Sequence, residues 1–293
     1  SASAGDVDGD GVPDPIVGES EASVVSGSFV FPGIAVFSGA TGTTLYETTD
    51  GAGWCVRYLG DVDGDGFGDY LGTAIANAPV CATVGGVLSC GFGRVFSGAD
   101  GSTIYTLRRQ GSAAFGWYAA LAGDLDGDDF PEVVISDPPF ATAGRLTMMS
   151  LAPIGVQSYG TGCQGPASQV PRIGVRGSPT VGAVTNVHVS KATPGVCALL
   201  LLGASNVNWG PLPLPYDLGG LGVPGCSLLT SVDFFFPALT QATLPAPGRA
   251  TVAFAIPSDP ALVGIQAFVQ WYVPSATGYV PGSMTRGVRL TIS

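Results

Sequence analysis

The order of apolar and polar positions along the chain predicts short β-strands throughout. Apolar runs of strand length alternate with clusters of glycine and proline, a pattern typical of strands joined by tight turns. In the second half such runs occupy residues 172–175, 184–189, 197–202, 228–236, 250–256, 263–273 and 288–292. Seven or so short strands at this spacing predict an antiparallel β-sandwich. No apolar run reaches 18 residues, so no transmembrane segment is predicted.

The first half is organised around three copies of one acidic loop, at residues 5–14, 60–69 and 123–132. Carboxylates at loop positions 1, 3, 5 and 9 repel one another unless a hard cation lies between them, and Ca²⁺ accepts six to eight oxygen ligands. The carbonyl at position 7 is the expected backbone ligand. The sequence therefore predicts three Ca²⁺ ions, held by Asp6, Asp8, Asp10, Val12 and Asp14; by Asp61, Asp63, Asp65, Phe67 and Asp69; and by Asp124, Asp126, Asp128, Phe130 and Glu132.

The loops are not EF-hands, and the third differs from the first two. An EF-hand has a glutamate at position 12 and flanking helices, whereas Val17, Gly72 or Ile135 stands at that position here. In the third loop Asp129 replaces the glycine found at Gly11 and Gly66. Because a left-handed backbone suits glycine better than aspartate, we expect the third site to be the weakest.

The repeat extends beyond the loop. Between loops a strand, a glycine turn and a second strand recur at residues 36–46 and 95–105. A repeat of about 60 residues built from short strands is typical of propeller blades. The Asp-x-Asp-x-Asp-Gly core, followed by a hydrophobic strand, resembles the FG-GAP repeats of integrin α-chain heads and of secreted bacterial proteins. The family's namesake motifs are matched only in part: Phe115-Gly116-Trp117 precedes the third loop, Ala52-Gly53-Trp54 stands in the equivalent place before the second, and Asn77-Ala78-Pro79 replaces the expected Gly-Ala-Pro. The resemblance covers residues 1–150 and implies calcium-bearing propeller blades.

The number of repeats is too small for a closed ring. Propellers close with four to eight blades, whereas this chain carries two full repeats and the first half of a third. Three explanations remain open: a fragment of a longer propeller, an open array of blades, or strand edges that pair between subunits. We favour the last, a homopolymer that forms through blade edges near residues 1–5 or 146–151.

The acidic loops end before a second module begins. Its opening, Tyr-Gly-Thr-Gly-Cys at residues 159–163, and its Pro-Gly-Cys-Ser-Leu block at residues 224–228 resemble a C-terminal module of secreted planctomycete-type bacterial proteins. We therefore predict an all-β chain with two domains: open, propeller-like blades with calcium loops at residues 1–158, and an antiparallel β-sandwich at residues 159–293.

The cysteines and the calcium signature point to an exported protein. Six cysteines and a calcium signature favour an extracellular or cell-surface location. Candidate disulfides are Cys81–Cys90, across a predicted hairpin, and Cys163–Cys226, which leave Cys55 and Cys197 as a long-range pair or as free thiols. A net charge of −11 makes nucleic acid a poor partner.

No sequence motif supports catalysis. A nucleophile–base pair, a zinc motif and a phosphate loop are all missing, and the one histidine, His188, lies in a predicted strand, where a structural role is the usual one. We expect no enzyme. The predicted function is a secreted, calcium-binding structural subunit of an extracellular fibre, tube or surface assembly. The alternative is a cell-surface adhesion module that binds a protein or glycan ligand, as the integrin resemblance implies.

Overall fold

The computed structural model describes the chain except residues 1, 4, 20–22, 26–27, 31–32, 76–81, 85–86, 90, 113, 127–129, 139–143 and 166–168. The described residues form antiparallel sheets and two single-turn 3₁₀ helices. Within these residues the sheets close into neither a barrel nor a propeller ring. The prediction of an open, all-β fold is confirmed. The chain divides into two compact units, Ser1–Val62 with Phe67–Leu151, and Asp63–Gly66 with Ala152–Ser293.

The first unit is built from three sheets that follow one another along the chain. Its strands are β1 (Ala2–Ser3), β2 (Pro15–Gly18), β3 (Ser23–Val25), β4 (Ser28–Val30), β5 (Ile34–Phe37), β6 (Thr44–Glu47), β7 (Cys55–Gly60), β8 (Asp69–Ala74), β9 (Ala82–Val84), β10 (Val87–Ser89), β11 (Phe92–Phe96), β12 (Thr103–Leu107), β13 (Ala119–Gly123), β14 (Glu132–Asp137) and β15 (Arg145–Ser150). Sheet 1 has the order β1-β2-β5-β6, sheet 2 the order β7-β8-β11-β12 and sheet 3 the order β13-β14-β15, while β3–β4 and β9–β10 are separate hairpins.

Each acidic loop connects the first two strands of its sheet. The loops follow β1, β7 and β13 and lead into β2, β8 and β14. Glycines supply the positive φ angles of the tight turn, for example Gly9 and Gly11 in the first loop and Gly64 and Gly66 in the second. The repeat in the sequence is therefore a repeat in the structure, with one acidic loop at the same end of each sheet.

Neighbouring sheets of the first unit pack through apolar side chains. Ile16 and Val36 of sheet 1 share a core with Tyr70 and Phe96 of sheet 2, and all four are at most 2% exposed. A second core joins sheets 2 and 3 and contains Leu71, Val95, Phe115, Val133 and Ile135. Successive strand residues point to opposite faces, so the two faces of sheet 2 are both buried.

The second unit contains two larger antiparallel sheets, as expected for a β-sandwich. Its strands are β16 (Val156–Tyr159), β17 (Arg172–Arg176), β18 (Val184–Ser190), β19 (Cys197–Gly203), β20 (Asn208–Trp209), β21 (Leu212–Pro213), β22 (Tyr216–Asp217), β23 (Ser227–Leu228), β24 (Phe234–Leu239), β25 (Ala250–Ala255), β26 (Gln266–Ser275), β27 (Gly278–Met284) and β28 (Gly287–Thr291). One sheet has the order β16-β28-β26-β19-β24, with β27 paired to β26, and the other the order β17-β18-β25. The 3₁₀ helices are Gly219–Leu221 and Pro260–Leu262.

The predicted strand at residues 228–236 is wrong as one continuous element. The structure has β23 and β24 there, separated by a polar turn. Thr230 is fully buried and its hydroxyl donates to the Phe268 carbonyl, while the Ser231 hydroxyl donates to Asp233. These side-chain hydrogen bonds replace ladder bonds and break the strand.

The disulfide Cys163–Cys226 is present and closes a loop across 63 residues of sequence in the second unit. Both of its cysteines are buried with Leu201, Leu214 and Met284 in one apolar cluster. Cys55 and Cys197 are free thiols, which is the second of the two alternatives for them. The predicted Cys81–Cys90 pair lies outside the described residues. In the described part of the chain, the helices are too short to cross a membrane.

Candidate metal centres

Three acidic clusters could hold metal ions, one in each predicted loop. Each cluster offers three carboxylate oxygens that lie within 4.8 Å of one another. They belong to Asp6, Asp8 and Asp10; to Asp61, Asp63 and Asp69; and to Asp124, Asp126 and Glu132. Nine of the predicted carboxylate ligands are therefore brought together, three to a loop. Asp14 and Asp65 lie outside these sets, and Asp128 is outside the described residues.

The position-9 carboxylate acts as a hydrogen-bond acceptor that folds its own loop. In the first loop Asp14 is 1% exposed, and its Oδ2 accepts from the backbone N–H groups of Val7 at 2.6 Å and Asp8 at 3.2 Å. Asp69 accepts from Val62 N at 2.7 Å, and Glu132 accepts from Leu125 N at 2.7 Å. Charged acceptors make stronger hydrogen bonds than neutral ones, so this carboxylate holds the loop backbone in place without the help of a cation.

A glycine from another turn of the same sheet completes this arrangement in loops 1 and 2. Gly39 N donates to Asp14 Oδ1 at 2.8 Å, and Gly98 N donates to Asp69 Oδ1 at 3.1 Å. A Cβ at Gly39 would lie 2.0 Å from the Pro13 carbonyl oxygen, and one at Gly98 would lie 2.1 Å from that of Gly68. Only glycine allows this approach. The glycine turns at residues 36–46 and 95–105 were predicted from the sequence, whereas their contact with the acidic loops was not.

The third loop lacks the corresponding glycine. In the strand register, Leu151 lies one residue beyond the partner of Glu132, the position that Gly98 occupies relative to Asp69 in sheet 2. The Leu151 N–H donates to the Pro131 carbonyl. Glu132 is 4% exposed, and its Oε1 atom is buried with no hydrogen-bond partner among the described residues. A buried carboxylate oxygen left in this way costs free energy unless a cation or a water satisfies it.

Loops 1 and 2 lie next to each other around Tyr58. A Cβ added to Gly68 would lie 2.5 Å from the Tyr58 ring and 2.7 Å from the Asp6 carbonyl oxygen. Burial raises the pKa of the Tyr58 phenol, and the negative charges of Asp69, Asp6, Asp61 and Asp14 raise it further. The two loops thus create one region of negative potential, which favours cations.

The same crowding acts on the carboxylates. Burial raises the pKa of Asp8, a hydrogen bond from the Asp10 backbone opposes this, and the charges of Asp14, Asp10 and Asp6 add to the rise. Repulsion of this kind disfavours the charged form of a carboxyl group. A bound cation would relieve it.

Arginines within the second compact unit compensate part of the charge of loop 2. That unit includes Asp63–Gly66. Arg249 Nη2 lies 3.1 Å from Asp65 Oδ2, and Arg176 Nε lies 3.7 Å from Asp63 Oδ2. Asp65 is fully buried, so its charge requires such a partner. These pairs could not be predicted from local sequence because the partners are more than 100 positions apart.

The donor set of the loops fits a hard divalent cation. All nine clustered donors are carboxylate oxygens, the ligands that Ca²⁺ and Mg²⁺ prefer. Asp6 Oδ1 is buried and has no hydrogen-bond partner among the described residues, although Asp6 Oδ2 accepts from Gly11 N at 2.9 Å. Val12 is exposed, whereas the Phe67 and Phe130 side chains are 7% and 6% exposed and anchor their loops.

Two further groups stand apart from the loops. His188 is 3% exposed, and its Nδ1 lies 2.8 Å from the Thr251 hydroxyl. In the first unit a cavity of about 290 Å³ is lined by Trp54, Trp117 and Arg57, and the two indole rings lie 5.1 Å apart. The Trp54 indole N–H donates to the Trp117 carbonyl at 3.0 Å, so this pair is held in place.

No family model matches the chain, and no curated protein matches it.

Proposed function

We propose that this protein is a calcium-binding structural protein of the extracellular space, and that its chains assemble with one another. The proposal rests first on the three acidic clusters. Each presents only oxygen ligands. Ca²⁺ accepts such ligands in variable number and geometry, whereas Mg²⁺ demands a near-ideal octahedron, so we propose Ca²⁺ as the ion. FG-GAP repeats, which the loops resemble, carry calcium in the same kind of loop.

The single observation that carries the calcium proposal is the pair of buried carboxylate oxygens at Asp6 and Glu132. Each lacks a hydrogen-bond donor among the described residues, and each lies in an acidic cluster. A cation in the cluster would satisfy both the unpaired oxygen and the repulsion between neighbouring carboxylates. Asp6, Asp8 and Asp10 would hold the ion in loop 1, Asp61, Asp63 and Asp69 in loop 2, and Asp124, Asp126 and Glu132 in loop 3.

An extracellular location agrees with this chemistry. The Cys163–Cys226 disulfide is of the kind that persists in oxidising compartments. Calcium sites of moderate affinity suit extracellular calcium, which is millimolar. The cavity at Trp54 and Trp117 supports the alternative, an adhesion module that binds a glycan or protein, because aromatic side chains dominate such recognition sites.

Calcium binding and assembly are tested together on the purified chain. Titration calorimetry should detect Ca²⁺ binding, and Mg²⁺ should bind more weakly. Chelation should lower the melting temperature because a ligand that binds only the folded state stabilises it, by about 3 kcal/mol at a hundredfold excess over Kd. Equal melting curves in EDTA and in millimolar Ca²⁺ would remove the calcium proposal.

Assembly is measured on the same samples by light scattering and electron microscopy. We expect the particle size to grow with protein concentration, and more so in Ca²⁺. A stable monomer at all concentrations would contradict the structural role and favour the adhesion module.

A further inference from the structure

The three sheets of the first unit present equivalent positions that can be compared directly. The residues two positions after the three position-9 carboxylates are Ile16, Leu71 and Val134. Their respective cross-strand partners are Val36, Val95 and Met148. Cross-strand partners share a face of the sheet. We define the face that carries these residues as the back face and the opposite one as the front face.

The back faces of sheets 1 and 2 are both covered. The back face of sheet 1 packs on the front face of sheet 2, and the back face of sheet 2 packs on the front face of sheet 3. The back-face residues of these two sheets are therefore 0% exposed: Ile16, Val36, Leu71 and Val95. The same kind of interface, back face to front face, thus occurs twice in one chain. Each instance buries aliphatic side chains against the next sheet.

The back face of sheet 3 is apolar and uncovered. Met148, the equivalent of Val36 and Val95, is 57% exposed. Leu146, two residues earlier, is 75% exposed, whereas its equivalent in sheet 1, Ile34, is 2% exposed. Residues that are core in two sheets are therefore surface in the third.

The front face of sheet 1 is uncovered in the same way. Val17 is 39% exposed and Pro15 is exposed, whereas Val133 and Ile135, their equivalents in sheet 3, are 0% exposed. A depression of about 310 Å³ lies on this face, lined by the apolar Val17, Ala35 and Phe37 and by the exposed Glu19 and Glu47. Exposed apolar side chains beside polar ones mark an interaction surface.

We propose that the back face of sheet 3 in one copy of this chain binds the front face of sheet 1 in a second copy. The contact repeats between chains the packing that joins sheets 1 and 2 and sheets 2 and 3 within a chain. Met148 and Leu146 of one copy meet Val17 and Phe37 of the other. This inference rests on the self-assembly in the proposed function and names the surfaces that carry it.

The partner that binds these faces is a second copy of this chain, because the chain itself supplies both halves of the interface. The two internal interfaces join different faces, so the one between copies is heterologous and generates open filaments or rings. Met148, Leu146, Val17 and Phe37 carry no charge and form the centre of the contact. Glu19 and Glu47, which are exposed and line the same depression, must keep their carboxylates in solvent at its rim. The surfaces that meet are sheet faces, whereas the sequence pointed to strand edges.

The test uses one charged substitution on each face of the full-length chain. Met148→Asp and Val17→Asp each place a carboxylate in the interface, where it would be buried without a partner. Leu239→Asp, at a side chain that is 73% exposed in the second unit, is the matched control. Sedimentation in Ca²⁺ measures assembly, and circular dichroism checks that each variant is folded.

Met148→Asp alone and Val17→Asp alone should each remain monomeric, with self-association weakened at least about tenfold. An equimolar mixture of the two should form a one-to-one dimer, since each variant retains the face that the other has lost. Leu239→Asp should assemble like the wild type.

Assembly of the wild type together with unchanged assembly of both variants would overturn this interface and leave the structural role standing. Self-association of Val17→Asp alone would show that two sheet 3 faces pair with each other, and it would overturn the head-to-tail contact. A wild-type chain that stays monomeric would overturn the structural role and this interface together, while calorimetry still reports on calcium.

Discussion

At the scale of single residues, the carboxylates of the acidic loops have two tasks. Those at positions 1 and 3 lie in the clusters that could hold an ion, together with Asp10, Asp69 or Glu132. The one at position 9 accepts backbone N–H groups, as Asp14 does from Val7, Asp8 and Gly39, and in loops 2 and 3 it also belongs to the cluster. Backbone N–H donors thus offset part of the repulsion between like charges in each loop.

The first residue-scale prediction concerns Asp14. Asp14→Asn replaces one acceptor oxygen with a donor that faces backbone N–H groups, so we expect a loss of about 3 kcal/mol in the free energy of unfolding. The loss should persist in chelator, because these hydrogen bonds do not involve the ion. Urea denaturation in EDTA measures it.

The matched control for this measurement is Asp10→Asn. Asp10 is half-buried, and its Oδ1 accepts from Val12 N in an exposed turn. In EDTA we expect this variant to lose about 1 kcal/mol or less. Equal losses at the two positions would contradict a scaffolding role for Asp14.

The second residue-scale prediction concerns pH and His188. Burial, followed by the charges of Arg249 and Arg176, lowers the pKa of His188 to about 3. In the unfolded chain, His188 takes up a proton below its ordinary pKa of about 6.5, whereas in the folded chain it stays neutral at that pH. Stability therefore falls as pH drops below 6.5, by about 2 kcal/mol between pH 7 and pH 5.

The change is measured against His188→Asn, which has no titrating group and can still reach Thr251. Chemical denaturation at pH 7 and pH 5 should show a pH-dependent difference between the two proteins. Carboxylate titration is common to both and cancels. Parallel pH profiles for wild type and variant would count against a neutral, buried His188.

At the scale of elements, the first unit is a repeated packing of one sheet on the next. Val95 in β11 and Met148 in β15 occupy equivalent positions, yet they are 0% and 57% exposed. Val95 is buried because sheet 3 packs on the back face of sheet 2. No described sheet of the first unit covers the back face of sheet 3, so Met148 is exposed.

The element-scale prediction compares alanine at these two positions. Val95→Ala removes two buried methyl groups and should cost about 2 kcal/mol. Met148→Ala acts on a surface side chain and should cost about 0.5 kcal/mol or less in dilute protein. Thermal unfolding at low concentration measures both, and a larger cost for Met148 would contradict the assignment of faces.

At the scale of the whole molecule, charge is distributed unequally between the two halves of the sequence. Of the 22 acidic residues, 19 lie within residues 1–160, and more than half of the total belong to the three loops. Bound calcium would remove part of the negative charge in the first half. The second unit gains its own constraint from Cys163–Cys226, since cross-links stabilise by limiting the unfolded chain, by about 4 kcal/mol for a loop of this length.

The local sequence pattern was sufficient to predict much of the fold and of the candidate metal centres. The alternation of apolar runs with glycine and proline clusters specified an all-β chain, because strands and turns depend on near neighbours in sequence. The spacing of Asp6, Asp8 and Asp10 was also sufficient to place three carboxylates in one loop. The Cys163–Cys226 pair was one of the fifteen pairings that six cysteines allow, and the structure confirms it.

Tertiary structure decided which groups meet across long separations in sequence. Gly39 with Asp14 and Gly98 with Asp69 are 25 and 29 residues apart, and the contact depends on the close approach of two turns that local pattern does not encode. The break between β23 and β24 depends on Phe268, which accepts the Thr230 hydrogen bond from 38 residues away. Burial is equally non-local. Val95 and Met148 are both apolar strand residues, and only the packing of one sheet on another makes the first core and the second surface.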